Sequence, residues 1–240
     1  MLISTTAIIF KSFPYRDTSL ILDMYTRSHG MRKYLINGVR KAKARTPANL
    51  LQLMNLVDIV AYEREDREIN RLKEVRLAKP YQNIPFDLKR GTLGLFMLEM
   101  TRRSVREAET NEGLFDYIFE GFRFLDDFSG PIANLHIHYL LGLTAYLGFL
   151  PMGKWSERSS FLDLRSCEFC AHPPNHPYYL TEELSAAMYS LMVCHQSDIA
   201  SLNVDRATRN QLLDAVLLMY RHQMDSFGEI NSLNVLREIF

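Results

Sequence analysis

Residues 19–45 read SLILDMYTRSHGMRKYLINGVRKAKAR. Apolar side chains alternate around Leu20, Leu22 and Met24, His29 and Gly30 interrupt them, and a second alternating run extends from Met31 to Val39. Period-two patterning broken by glycine predicts strand, turn and strand instead of helix. The stretch also carries charge of one sign. No acid stands between Asp23 and Asp58, whereas Arg27, Arg32, Lys33, Arg40, Lys41, Lys43 and Arg45 supply seven cations. The first three are expected on strands and their turn, the last four on the loop beyond. Such a surface suits a sugar-phosphate backbone, because each cation that neutralises a phosphate releases condensed counterions whatever the bases are. The plainer alternative is an edge strand kept soluble by its lysines.

Working outward, residues 1–80 read as five strands. Leu2 to Phe13 is apolar and β-branched, Pro14 to Asp17 is a turn, and the two strands above follow. Leu50 to Glu65 is expected as a long fourth strand. Arg67 to Leu77 fits either a fifth strand or an amphipathic helix, and strand is chosen. Five short strands with a glycine-bearing third and a long connection to the fourth match a small closed barrel of the OB type, which binds oligonucleotides on one face and through its loops. Tyr15, Tyr25 and Tyr34 interleave the cations and are candidates for stacking on unpaired bases. Alternation pairs Tyr34 with Ile36, so a core position suits it equally.

After Pro80 the apolar period lengthens toward that of helices. The window Phe86 to Ala108 groups Leu88, Leu95, Met97, Leu98 and Val105. Leu114 to Phe128 repeats apolar residues at steps of three and four, and Ile132 to Phe149 is the most apolar helix. Helices are also expected from Thr181, as N-cap, to about His195, from Val204 to Phe227, and from Leu233 to Phe240. Residues 153–180, rich in serine, proline and aromatics, interrupt them. The expected architecture is therefore multidomain β plus α: a barrel over 1–80, then an all-helical domain over 81–240 with a short irregular insertion.

Zero formal net charge conceals an asymmetry, for residues 1–80 hold 15 basic and 8 acidic side chains and residues 81–240 the complementary acidic excess. A polyanion partner is expected for the first part only. Three cysteines make no disulfide framework and favour a reducing compartment. The N-terminal residues lack the pattern of a signal peptide, and the apolar run Ile137 to Leu150 is short for a bilayer, so a cytoplasmic protein is expected.

Chemistry-bearing motifs are few. Cys167 and Cys170 form a CxxC pair, followed by His172 and His176, which is half of a tetrahedral zinc site. Cys194 lies too far along the chain to act as the usual second pair. His136 and His138 point to different sides of a helix, and the adjacent carboxylates Asp126 and Asp127 are not set across a cleft. No GxSxG, phosphate-cradling glycine loop or HExxH occurs, so no enzyme is expected.

The segment KSFPYRDTSLILDMYTRSHGMRKYLINGVRKAKAR, then helices containing HYLLGLTAYLGFLP, a CxxC segment and a last pair of helices resemble the RecO family of bacterial recombination mediators over nearly the whole chain. The resemblance implies a DNA repair and recombination protein that binds single- and double-stranded DNA and anneals complementary strands. With RecR it would help load RecA onto single-stranded DNA coated by single-strand-binding protein (SSB). It implies DNA contacts at Arg32, Lys33, Arg40, Lys41, Lys43 and Arg45, to which the charge pattern adds Arg27, and a helical-domain pocket for the SSB C-terminal tail; a monomer is expected. Many members carry a four-cysteine zinc motif, of which Cys167 and Cys170 match the first pair and nothing the second, so no metal or other cofactor is expected. The rival reading is a protein adaptor whose barrel docks a partner protein and does not bind DNA.

Overall fold

The computed structural model describes residues 1–39, 44, 46–64, 66–105, 110–225 and 227–240. Strands β1 (Leu2–Tyr15), β2 (Ser19–Thr26), β3 (Gly30–Ile36), β4 (Leu56–Tyr62) and β5 (Ile69–Lys79) close a barrel in the order β1-β2-β3-β5-β4. This is the expected five-stranded barrel. Its long first strand pairs with β4 through Leu2 to Ile8 and with β2 from Ala7 onward, bending where the register shifts between Ile9 and Lys11. All neighbours are antiparallel except β3 and β5, which run parallel. Alternation sends Ile3, Ile9, Leu22, Met24, Tyr34, Ile36, Val57, Ile59 and Leu72 inward to a single core.

Two strand expectations need correction. The run from Leu50 to Glu65 is a strand only over β4, because Asn55 Nδ2 donates to the carbonyls of Asn49 and Leu50 at 3.0 Å and ties down a 3-10 turn over Ala48–Leu51. Side-chain bonds to nearby backbone compete with the ladder there. The third strand ends at Ile36 and not at Val39, since Gly38 takes φ +75° and turns the chain away.

Helices α1 (Leu88–Ser104) and α2 (Glu112–Asp127) follow the barrel, and the chain divides into two compact units between them. The first comprises Met1–Phe86 with Val105–Asp127, so α2 belongs with the barrel. It covers the outside of β1 and β2. Phe10 stacks on Tyr25 at 5.8 Å, Tyr25 meets Phe115 at 5.8 Å, and Phe115 meets Phe119 at 5.9 Å. At the far end of α2 the buried Asp126 carboxylate accepts from the backbone N–H of Gln82, Asn83 and Ile84, each at 2.8 Å. Neighbouring Asp127 receives Lys79 Nζ at 2.8 Å.

The second unit comprises Asp87–Ser104 and Phe128–Phe240. It contains α1, α3 (Leu135–Leu147), α4 (Glu182–Val193), α5 (Arg206–Gln223) and α6 (Leu233–Ile239). Within residues 153–180, expected as irregular, the chain forms a three-stranded antiparallel sheet, β7 (Glu168–Cys170), β6 (Phe161–Asp163) and β8 (Tyr179–Leu180). On α1, Leu93, Phe96, Met97 and Met100 are buried, but Leu88 and Leu95, expected beside them, are 75% and 45% exposed. An apolar window that runs round the helix does not reveal its buried side. Thr181 stands at the N-cap of α4 with extended backbone, yet its side chain accepts no capping hydrogen bond; α5 is capped by Asp205, which accepts from Thr208 N at 2.9 Å. Among the described residues no helix is long and apolar enough to cross a membrane.

One carboxylate fastens α6 to α1. Glu99 accepts from Asn231 N (3.0 Å), Ser232 N (2.8 Å) and Ser232 Oγ (2.7 Å) and also pairs with Arg103 at 3.0 Å. Burial by itself would raise its pKa, but these hydrogen bonds outweigh burial and hold it at about 2.

Candidate nucleic-acid interface

An OB-type barrel binds along strands two and three, between the β1–β2 and β4–β5 connections. In this chain that face is built as follows. Lys33 lies on the outside of β3, in register with Asp23 of β2 and Ile69 of β5, while Tyr34 faces the core. Arg32 and Tyr34 share one acid: Arg32 Nε donates to Glu63 Oε1 at 3.0 Å and the Tyr34 hydroxyl to Glu63 Oε2 at 3.2 Å. Beneath the β4–β5 connection lies an open cleft of about 1060 Å³, lined by Asp23, His29, Arg32, Lys33, Glu63, Arg64 and Arg67 among others. A second opening, about 750 Å³, lies at the β1–β2 turn beside Tyr15, Leu35 and Asn37.

The sequence-predicted cations fare differently. Arg40, Lys41, Lys43 and Arg45 lie outside the described residues. Arg27 sits at the end of β2 and pairs with two acids of α2, Asp116 at 2.9 Å and Glu112 at 2.8 Å. The Asp116 hydrogen bond raises its pKa. Lys33 meets Glu68 in a close ion pair that raises the lysine pKa and lowers that of the acid. Arg64 pairs with Asp66 at 3.1 Å. The acids at 63, 66 and 68 thus answer the cations at 32, 64 and 33, and the cleft is mixed in charge where the sequence suggests a bare positive strand. The Lys33–Glu68 and Arg64–Asp66 pairs are exposed enough that water and salt screen them, whereas Glu63, which also accepts from Tyr34, is largely covered.

Of the three tyrosines, two are unavailable. Tyr34 is fully buried in the barrel core, which corrects its assignment as a stacking residue; burial, then the Glu63 charge, pushes its phenol well above the usual value. Tyr25 is buried under α2. Tyr15 remains partly exposed, with the Arg16 guanidinium 5.3 Å from its ring centre. Asp23, also buried, keeps Lys11 Nζ at 3.5 Å from Oδ2, while its Oδ1 has no hydrogen-bond partner among the described residues.

Sequence reasoning missed a second group. Tyr62 closes β4 with its ring 48% exposed, and Ile69 and Arg71 open β5 beside it. The signal is faint, because in Leu56 to Tyr62 only Asp58 marks the outward side and spacing does not tell a covered outward residue from an exposed one.

In the CxxC segment the two sulfurs face backbone carbonyls. Cys170 Sγ lies 3.2 Å from the His172 carbonyl, Cys167 Sγ 3.9 Å from that of Leu164, and His176 Nε2 faces Asp163 at 3.2 Å. Burial pushes the Cys167 thiol up to about 11. Among the described residues no three His, Cys, Asp or Glu side chains converge as ligands would.

Comparison with known proteins divides the chain at the end of the barrel, with α2 in the second part. The family model described as Recombination protein O N terminal matches residues 1–81, and that described as Recombination protein O C terminal matches residues 85–229. Curated proteins named DNA repair protein RecO align over the full length of both chains, at 32% identity in Christiangramia forsetii and 28% in Phocaeicola vulgatus and in Bacteroides fragilis.

Proposed function

Because the chain belongs to the Recombination protein O family, we propose that it is a DNA repair and recombination mediator that binds single- and double-stranded DNA and anneals complementary strands. With RecR it helps load RecA onto single-stranded DNA coated by SSB, whose C-terminal tail docks on the helical part. It works as a monomer in the cytoplasm, breaks no bond and uses no cofactor. The observation that carries this reading is the closed β1-β2-β3-β5-β4 barrel with Arg32 and Lys33 beside its open cleft, leading directly into the cationic sequence 40–45. Phosphates would displace the acids that hold these cations, and a strand whose charge is covered repels a second strand less.

The adaptor reading draws on one specific observation, the engagement of Arg27, Arg32 and Lys33 by acids of the same chain. Salt separates the two. Titrating single-stranded oligonucleotide binding by the full chain against salt should give a steep linear loss. The variant K41E/K43E/R45E should lower the slope by about two, at roughly 0.7 for each phosphate left without its cation. Unchanged binding by that variant would remove the loop from the site; binding absent or indifferent to salt in the wild type would favour the adaptor.

A further inference from the structure

Four large apolar side chains are exposed at one corner of the barrel: Met1, Leu2, Tyr62 and Ile69, the last three at 51%, 48% and 39%. Register explains their grouping. Leu2 pairs with Tyr62, Tyr62 with Arg71, and Arg71 with Leu35, so one row crosses β1, β4, β5 and β3. Ile69 stands two residues from Arg71, on the same face and beside Lys33. Tyr62 has no aromatic neighbour among the described residues, and its ring is open to solvent in a way that those of Tyr25 and Tyr34 are not.

The cations around this row are not all paired with acids. Glu63, Asp66, Glu68 and Glu74 are each taken by a neighbour, namely Arg32, Arg64, Lys33 and Lys73. Arg67 and Arg71 form no ion pair among the described residues, so these two guanidiniums are not taken by the four acids named. An exposed ring with cations beside it is what a flexible polyanion with planar, apolar bases requires: the ring stacks on a base and the guanidinium takes the adjoining phosphate.

We propose that the β4–β5 wall, with Tyr62 as the ring and Arg71 as the phosphate contact, is a stacking platform for unpaired bases of single-stranded nucleic acid. It adjoins Lys33 across the β3–β5 seam and is continuous with the cleft through Met1 and Arg67, which line it. The platform is selective for strand state. In a duplex the base faces are covered by their neighbours, and only the phosphates remain for Arg71.

This inference rests on the DNA-binding reading, and its test separates the two. Binding of the full-length wild type, Tyr62→Ala and Tyr62→Phe is measured on an oligothymidylate and on a blunt duplex of equal length. Tyr62→Ala should weaken single-strand binding roughly 5- to 150-fold, the range for loss of one base–aromatic stack, and leave duplex binding unchanged. Tyr62→Phe, which keeps the ring, should retain both. Since Tyr62 is half exposed, the alanine variant should melt within a few degrees of wild type. A Tyr62→Ala variant that binds single strands like wild type, or loses single strand and duplex equally, overturns the platform while DNA binding stands. A wild type that binds neither probe overturns the parent reading and the platform with it.

Discussion

The Arg27 guanidinium grips the Asp116 carboxylate through two bonds of 2.9 Å, Nε to Oδ1 and Nη2 to Oδ2. A residue that sequence pattern assigns to DNA therefore spends its fork on holding α2 against the barrel. Replacing Arg27 with alanine should lower the melting temperature slightly and leave the salt slope of single-strand binding unchanged, whereas Lys33→Ala should reduce that slope by about one. Equal slope changes in the two variants would return Arg27 to the DNA contacts.

The acids of the β4–β5 connection should act as internal competitors of phosphate. Glu68→Gln releases Lys33 and Asp66→Asn releases Arg64. Each variant should bind single strands more tightly at low salt, because phosphate no longer competes with the acid. Affinity identical to wild type in both variants would mean that neither cation reaches DNA.

Asp126 anchors the end of α2 to the chain leaving the barrel. Asp126→Ala strands three backbone N–H groups, that of Ile84 buried and those of Gln82 and Asn83 partly so, and should cost about 3 kcal/mol in chemical denaturation. Asp126→Asn keeps one oxygen for Asn83 and Ile84 and should cost less. If the two variants cost the same, charge and not hydrogen bonding is the dominant contribution.

Acid should loosen the second unit in two overlapping windows. His136 is buried, which lowers its pKa from 6.5 to about 3 with help from the Arg209 charge. The unfolded chain therefore takes up that proton first, and stability falls as pH drops from about 6.5 toward 3. Glu99, held at about 2 against its usual 4.5, contributes stability that is complete above about 4.5 and lost as pH falls through 2. Glu99→Gln should flatten the lower window alone in a pH series of thermal melts. A profile unchanged by it would mean that α6 is held by other contacts.

Much of the barrel was legible because β2 and β3 alternate and Gly30 and Gly38 mark the ends of β3. Leu20, Leu22, Tyr34 and Ile36 all face the core as period two requires. The helices were legible as helices, but Leu88 and Leu95 were placed on the wrong side, since apolar residues surround that part of α1. The candidate site was less legible. Cations count equally in a sequence whether or not an acid faces them, and the partners of Arg27 and Lys33 lie 89 and 35 residues away. Tyr34 was undecidable from spacing and Tyr62 was invisible to it, because exposure at a barrel corner depends on register between distant strands.

The parallel junction of β3 with β5 joins only three residue pairs, Lys33 with Ile69, Tyr34 with Asn70 and Leu35 with Arg71, against seven between β2 and β3. A cask leaks where its staves are least bound. That seam holds Lys33 and Arg71 on its two lips, so amide protons there should exchange before those of β1 and β2. A guest strand lying across it would act as a hoop, tightening the wall that receives it.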